Sequence, residues 1–259
     1  MKPYADHFSR LATAYASCRP GYPEELFSYL GAVCPRHELA WDCAAGTGQA
    51  TLPLTRVFRR VIATDASAAM IRNAKRHRRV EYRVAPAEAS GLSPASADLV
   101  TVAQALHWLD LDPFYAEAER VLVPRGVLAV WTYGSQYLDD EALDGVLGRF
   151  YTDVVGPYWP AERHHVESGY RTLPFPFPEL EAPRFVMQEE WTLPELLGYL
   201  RTWSATQRFY ELVGRDPVNQ LERQLTPLWG DPASPRLIRW PLSLRVALKS
   251  SDDLRAAEY

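Results

Sequence analysis

The sequence predicts an α/β protein: a Rossmann-like, seven-stranded sheet, mostly parallel with the last strand antiparallel, helices on both faces, and a helical and loop cap. Three observations carry this expectation. Short apolar runs that read as strands alternate with helix-period segments through the first half of the chain, which is the pattern of a parallel sheet. The run Leu39 to Cys43 passes through a Gly-rich turn into a helix, from about Gln49 to Val57. Two successive strands end in acids, Asp42 in the first and Asp65 in Val61 to Asp65.

The chain has 259 residues, 47% of them hydrophobic, which suits one domain spanning 1–259. Within it, 1–35 reads as an N-terminal helical cover and 36–135 as the ligand-binding core. Residues 136–259 hold strands six and seven with substrate-cap insertions. Net charge is −4, so no general nucleic-acid affinity is implied. No apolar run approaches the ~20 residues of a membrane span. The first residues carry no secretory signal, since no hydrophobic region follows Lys2. Cys18, Cys34 and Cys43 are odd in number and lack metal-ligand spacing, so the chain reads as reduced and cytoplasmic. A monomer or homodimer acting on a small molecule is expected, with no nucleic-acid, membrane or metal partner.

The elements follow in order. Tyr4 to Ala16 has helical spacing, with Phe8, Leu11 and Tyr15 on one face. Arg19-Pro-Gly-Tyr-Pro23 breaks it, and Pro23 suits the first turn of a helix to about Val33. Ser67 is a good N-cap for a helix carrying Met70, Ile71 and Ala74. Arg72, Lys75, Arg76, His77, Arg78 and Arg79 follow, read as cations complementing that helix's C-terminus. Val80 to Val84 alternates as strand three, and Asp98 to Val102 is an apolar, buried strand four. Asp112 and Pro113 open a helix buried through Phe114, Ala118, Val121 and Leu122. Pro124 to Gly126 is a turn before strand five, Val127 to Tyr133. Asp139 to Val155 reads as a helix, and 157–183 as a Pro- and aromatic-rich cap. Phe185 to Trp191 and Pro241 to Leu248 read as strands six and seven, with helices near Leu193–Ser204 and Val218–Leu228 between them.

The Gly-rich turn indicates the ligand. Gly46 and Gly48 let the backbone take φ > 0 and come close to a bound molecule, and the following helix offers free N–H groups. A dinucleotide fingerprint needs a third Gly, and Gln49-Ala-Thr51 lacks it. Asp65 lies nineteen residues past Gly46, where the ribose-binding acid of such a site stands.

Asp42-Cys-Ala-Ala-Gly46-Thr-Gly48, followed by Asp65, resembles the class I S-adenosylmethionine-dependent methyltransferases over about Ala14 to Tyr133. Arg19-Pro-Gly-Tyr22-Pro and Gln104-Ala-Leu-His107-Trp108 are similar to the small-molecule, type 11-like branch containing trans-aconitate methyltransferase. The resemblance implies S-adenosyl-L-methionine as cofactor. It would be held by Asp42, Ala44, Gly46, Gly48, Gln49, Asp65, Ala66, Met70, Ala87, Glu88, Gln104 and Ala105. Tyr15 and Arg19 either meet its methionine carboxylate or are a core residue and a surface turn. Pro86 occupies the position where many relatives carry an adenine-binding acid, leaving the Ala87 N–H or Glu88 for that contact. His107 is the candidate base, or else packs beside Trp108 and bonds the backbone. Trp108, Tyr133, Tyr199, Arg201 and Trp203 are candidates for the acceptor, Trp203 also fitting a core position. His164-His165 lacks a third metal ligand and reads as a loop pair.

The implied function is methyl transfer to a small molecule, at a carboxylate or hydroxyl oxygen. Rival readings are an RNA or protein methyltransferase, a non-catalytic regulator that binds the cofactor, and a nicotinamide dehydrogenase. The acidic net charge opposes the first, and the missing third Gly the last.

Overall fold

The computed structural model describes residues 19–250. The expected helix at 4–16, Tyr15 and Cys18 lie outside them. The elements are α1 (Glu24–Val33), β1 (Leu39–Cys43), α2 (Thr51–Val57), β2 (Arg60–Asp65), α3 (Ala68–Asn73), β3 (Val80–Val84) and β4 (Ala97–Ala103). There follow α4 (Leu111–Val121), β5 (Leu122–Tyr133), α5 (Glu141–Arg149), α6 (Arg163–Glu167), β6 (Glu179–Leu180) and β7 (Phe185–Trp191). The last are α7 (Leu193–Arg201), α8 (Ser204–Val213), α9 (Val218–Trp229) and β8 (Arg236–Leu248).

The strands form one sheet in the order β3-β2-β1-β4-β5-β8-β6. β3 to β5 pair in parallel, and β8 runs antiparallel to β5. β6 and β7 both pair antiparallel with β8, Leu180 opposite Val246 and Phe185 opposite Leu242. Four residues therefore face three between them, so the two segments share one edge interrupted by a bulge. This accounts for eight segments where seven strands are expected. Alternation along the strands splits the core in two. Val127, Ala129 and Trp131 face a cluster with α1, α2 and α7. Leu128 and Val130 face one with α4 and the cap residues Val166, Tyr170 and Leu173.

Several boundaries differ from the sequence reading, each for a local reason. α2 starts at Thr51 because Gly48, at φ 94°, is still in the turn. Ser67 does cap α3, its hydroxyl accepting from the Met70 N–H. α3 ends at Asn73, however, so of the six basic residues only Arg72 sits in its last turn. Arg79 instead donates to the Thr55 carbonyl, and Arg76 lies over the Tyr82 ring. α4 begins at Leu111, which puts Pro113 in a first turn whose N–H groups have no helical partner. The Pro124–Gly126 turn is a bulge inside β5, with Arg125 at φ 62° and the register passing from Ala97↔Leu122 to Leu99↔Val127. α5 gives way at Phe150 to a wider turn through Val154. The region between strands six and seven holds three helices, not two. β8 starts five residues before Pro241. The Tyr137↔Arg239 bridge sets the Pro241 nitrogen toward β5, where that strand has already ended, so no ladder bond is lost. His164 and His165 lie on α6 rather than in a loop. Among the described residues, no helix is long and apolar enough to cross a membrane.

Candidate functional site

The C-terminal ends of the five parallel strands open on a cavity of about 550 Å³. Ala44 to Gly46 after β1, Asp65 at the end of β2 and Ala85 to Glu88 after β3 form one side. Ala103 to Ala105 at the end of β4 and Tyr133 at the end of β5 form the other. β1 is where the strand order reverses, which is where open α/β sheets bind ligands.

Asp65 organises the loop after β1. Its Oδ2 accepts from the Gly46 N–H at 2.9 Å and its Oδ1 from the Ser67 N–H at 2.8 Å. Burial pushes its pKa up against these two bonds. Each oxygen keeps a further lone pair for a hydroxyl in the cavity. Gly46 stands at φ 58°, and a Cβ there would meet no protein atom. Gln104 also takes a positive φ, 56°. Its side chain is committed to β5, accepting from the Thr132 hydroxyl (2.7 Å) and the Tyr133 N–H (2.8 Å) and donating to the Tyr133 carbonyl (3.0 Å). What Gln104 offers the cavity is therefore backbone. The Gln49 Nε2 is buried on the cavity wall without a hydrogen-bond partner. A buried donor of this kind costs stability unless a ligand satisfies it.

Arg19, Ala44, Gly46, Gln49, Asp65, Ala66, Met70, Ala87, Glu88, Gln104, Ala105, Trp108 and Tyr133 all line the cavity. Arg19 donates to the Tyr133 hydroxyl at 3.2 Å and the Thr202 carbonyl at 3.4 Å, with its guanidinium over the Tyr199 ring. The sequence reading did not single out Leu109 and Asp110, which also line it, and no motif marks them.

Six candidates stand elsewhere. Tyr199 is buried, its hydroxyl accepting from the Trp240 indole N–H at 3.2 Å. Asp42 is fully buried beneath the loop, accepting from the Thr51 and Thr101 hydroxyls. Gly48 packs against β3, where a Cβ would sit 2.7 Å from the Tyr82 hydroxyl oxygen. Gly48→Ala is therefore expected to destabilise the fold by ~1–2 kcal/mol, from the positive φ and the displaced Tyr82, and a urea titration checks this. His107 turns from the cavity to the Tyr170 hydroxyl, 2.8 Å from its Nδ1. Burial, then the charges of Arg163 and His165, lowers its pKa to about 3. Arg201 pairs with Asp216 and Asn219. Trp203 is buried among Phe150, Tyr151, Trp159 and Tyr199, the core position its spacing allows. Among the described residues no cluster of His, Cys, Asp and Glu could hold a metal.

A family model described as a methyltransferase domain matches residues 41–130. A methyltransferase of Dictyostelium discoideum is 32% identical over 86% of this chain and 86% of its own length. The malonyl-[acyl-carrier protein] O-methyltransferase of Hahella chejuensis is 36% identical over 56% of this chain and 55% of its own. A solved structure of a type II methyltransferase from Anaeromyxobacter dehalogenans superposes with a TM-score of 0.85 at 48% identity, covering 90% of this chain and 98% of that one. The chain belongs to the class I S-adenosylmethionine-dependent methyltransferases. It is an enzyme of that class, with S-adenosylmethionine as its methyl donor. The cavity fits such a ligand: a carboxylate with spare lone pairs, a loop held open at Gly46, and an unfilled amide donor at Gln49.

Proposed function

We propose that the enzyme methylates a carboxylate oxygen of a small acid. The observation that carries this reading is the orientation of His107, the candidate base, whose ring turns from the cavity to the Tyr170 hydroxyl. His107, the one imidazole nearby in sequence, faces Tyr170, and a conjugate acid at about 3 makes it a weak proton acceptor at neutral pH. An alcohol acceptor is best served by a base that titrates near neutrality, whereas a carboxylate is ionised already. The O-methyltransferase relative supports oxygen as the methylated atom.

When bound, the cofactor supplies an activated methyl on a sulfonium, so the protein's task is to align the acceptor and exclude water. The Asp65 carboxylate takes the ribose hydroxyls. The Ala87 N–H meets the adenine edge, since Pro86 has no donor. The Gly46 and Gln104 backbone borders the methionine portion. Arg19 pairs with the methionine carboxylate. The Tyr133 hydroxyl accepts from Arg19, which leaves its own proton to orient an acceptor oxygen, and Trp108 walls that end.

Two measurements test this. Turnover on a panel of mono-, di- and tricarboxylic acids, phenols and amines should give a product whose methyl group alkali releases, as from an ester. An alkali-stable product would overturn the carboxylate reading. Arg19→Gln is expected to weaken S-adenosylhomocysteine about tenfold by calorimetry, as loss of one charge-assisted bond predicts. The same variant should bind 5′-methylthioadenosine, which lacks that carboxylate, as the unaltered protein does. Equal losses for both ligands would remove Arg19 from the carboxylate.

A further inference from the structure

We propose that Tyr170 is a positioning residue for the acceptor wall of the cavity, acting through His107 on the turn that carries Trp108. The proposal rests on the cavity assignment made above.

The chain takes unusual backbone to bring this phenol to its place. Gly169 and Tyr170 lie in succession at φ 62° and 63°. A bulky aromatic residue there is a true outlier, tolerated only where its surroundings over-determine it. Gly169 has no alternative, since a Cβ would lie 2.6 Å from the Ser243 Oγ of β8. The segment is then clamped. The Tyr170 N–H donates to the His165 carbonyl at 2.8 Å. Arg245 of β8 donates to the carbonyls of Tyr170 (2.7 Å) and Leu173 (2.8 Å) and is itself gripped by both carboxylate oxygens of Glu179.

This geometry sets a fully buried hydroxyl under the short turn Leu106–Trp108, 2.8 Å from the His107 Nδ1. One residue thus ties β8, through the Arg245 bond to its carbonyl, to the turn that follows β4, through its hydroxyl. The His107 ring lies against Trp108, centroids 4.4 Å apart, and Trp108, Leu109 and Asp110 face the cavity. His107 accordingly serves as a strut between the cap and the wall.

The test uses Tyr170→Phe, which keeps the ring and removes only the hydroxyl. Tyr115→Phe is the control: it also removes a buried phenol bond to the cap, but one made to the Pro174 carbonyl at 2.7 Å and not to the turn that carries Trp108. Protein labelled with 5-fluorotryptophan is observed by fluorine NMR, and the Trp108 signal is assigned by its loss in Trp108→Phe. Tyr170→Phe should shift or broaden the Trp108 signal, and Tyr115→Phe should leave it in place. With any acid that the panel shows to be methylated, Tyr170→Phe should raise the acceptor KM about fivefold with a smaller change in kcat, the size expected for one lost hydrogen bond. His107→Gln should add little to it, because both act on one strut. An unmoved Trp108 signal in folded Tyr170→Phe, or equal effects from Tyr115→Phe, overturns the proposal. The fluorine measurement needs no acceptor, so it decides on Tyr170 even if no acid is turned over.

Discussion

Asp65→Ala is expected to weaken binding of S-adenosylhomocysteine by ~10- to 100-fold, read by titration calorimetry. A hydrogen bond to a charged acceptor is worth ~1.5–3 kcal/mol when its partner is left buried and unpaired. Two effects combine in this variant. The ligand loses a carboxylate, and the N–H groups of Gly46 and Ser67 lose the acceptor that joins the two loops. Asp65→Asn separates them. An amide presents one oxygen and one NH₂, so it can accept from only one of the two N–H groups and turns a donor toward the other. The asparagine variant should therefore lose affinity too, with the loops partly held. Unchanged affinity in a folded alanine variant would remove Asp65 from the site.

The core of the fold was legible because its signals are local. A strand, an acid, a glycine pair and a helix in series specify β1 to α2, and a second acid specifies the end of β2. Buried parallel strands read as apolar runs, so β4 and β5 stood out as well. The cavity wall proposed for the cofactor is built almost wholly from residues next to those strand ends, so its lining is legible from the same local signals. The acceptor side was less legible because its partners are distant in sequence. His107 stands at a strand's exit, where a base would stand. Its orientation is decided by Tyr170, sixty-three residues on, and nothing at 104–108 encodes that. Arg201 reads as an acid-binding guanidinium until α9 brings Asn219, with Asp216 just before it, against it. Pro241 suggested a strand boundary, yet a strand tolerates it where the neighbour has ended.

Asp42→Asn is expected to stabilise the protein at neutral pH by up to ~3 kcal/mol and to lose that advantage in acid. Burial, and secondarily the charge of Asp65, raises the Asp42 pKa to about 6, and the hydroxyls of Thr51 and Thr101 offset only part of this. The sign follows from proton uptake. Below the unfolded value, 3.8, both states are protonated and Asp42 carries no penalty. Between 3.8 and about 6 the folded state holds the proton that the unfolded state has released, so stability falls as pH rises. Above 6 the full cost remains, and an isosteric amide avoids it. Urea titrations from pH 4 to 8 should show the difference between variant and parent growing across that window. A flat difference would mean that the threonine hydroxyls hold the carboxylate at an ordinary pKa. An acid that costs this much at neutral pH fits a charge used for function. It lies beneath the loop that the proposed binding mode sets along the methionine portion, where a buried negative charge would favour a sulfonium over a neutral thioether. The more stable Asp42→Asn protein should therefore bind S-adenosylmethionine less well relative to S-adenosylhomocysteine. An unchanged ratio of the two affinities would confine Asp42 to joining β1 and α2 through Thr51.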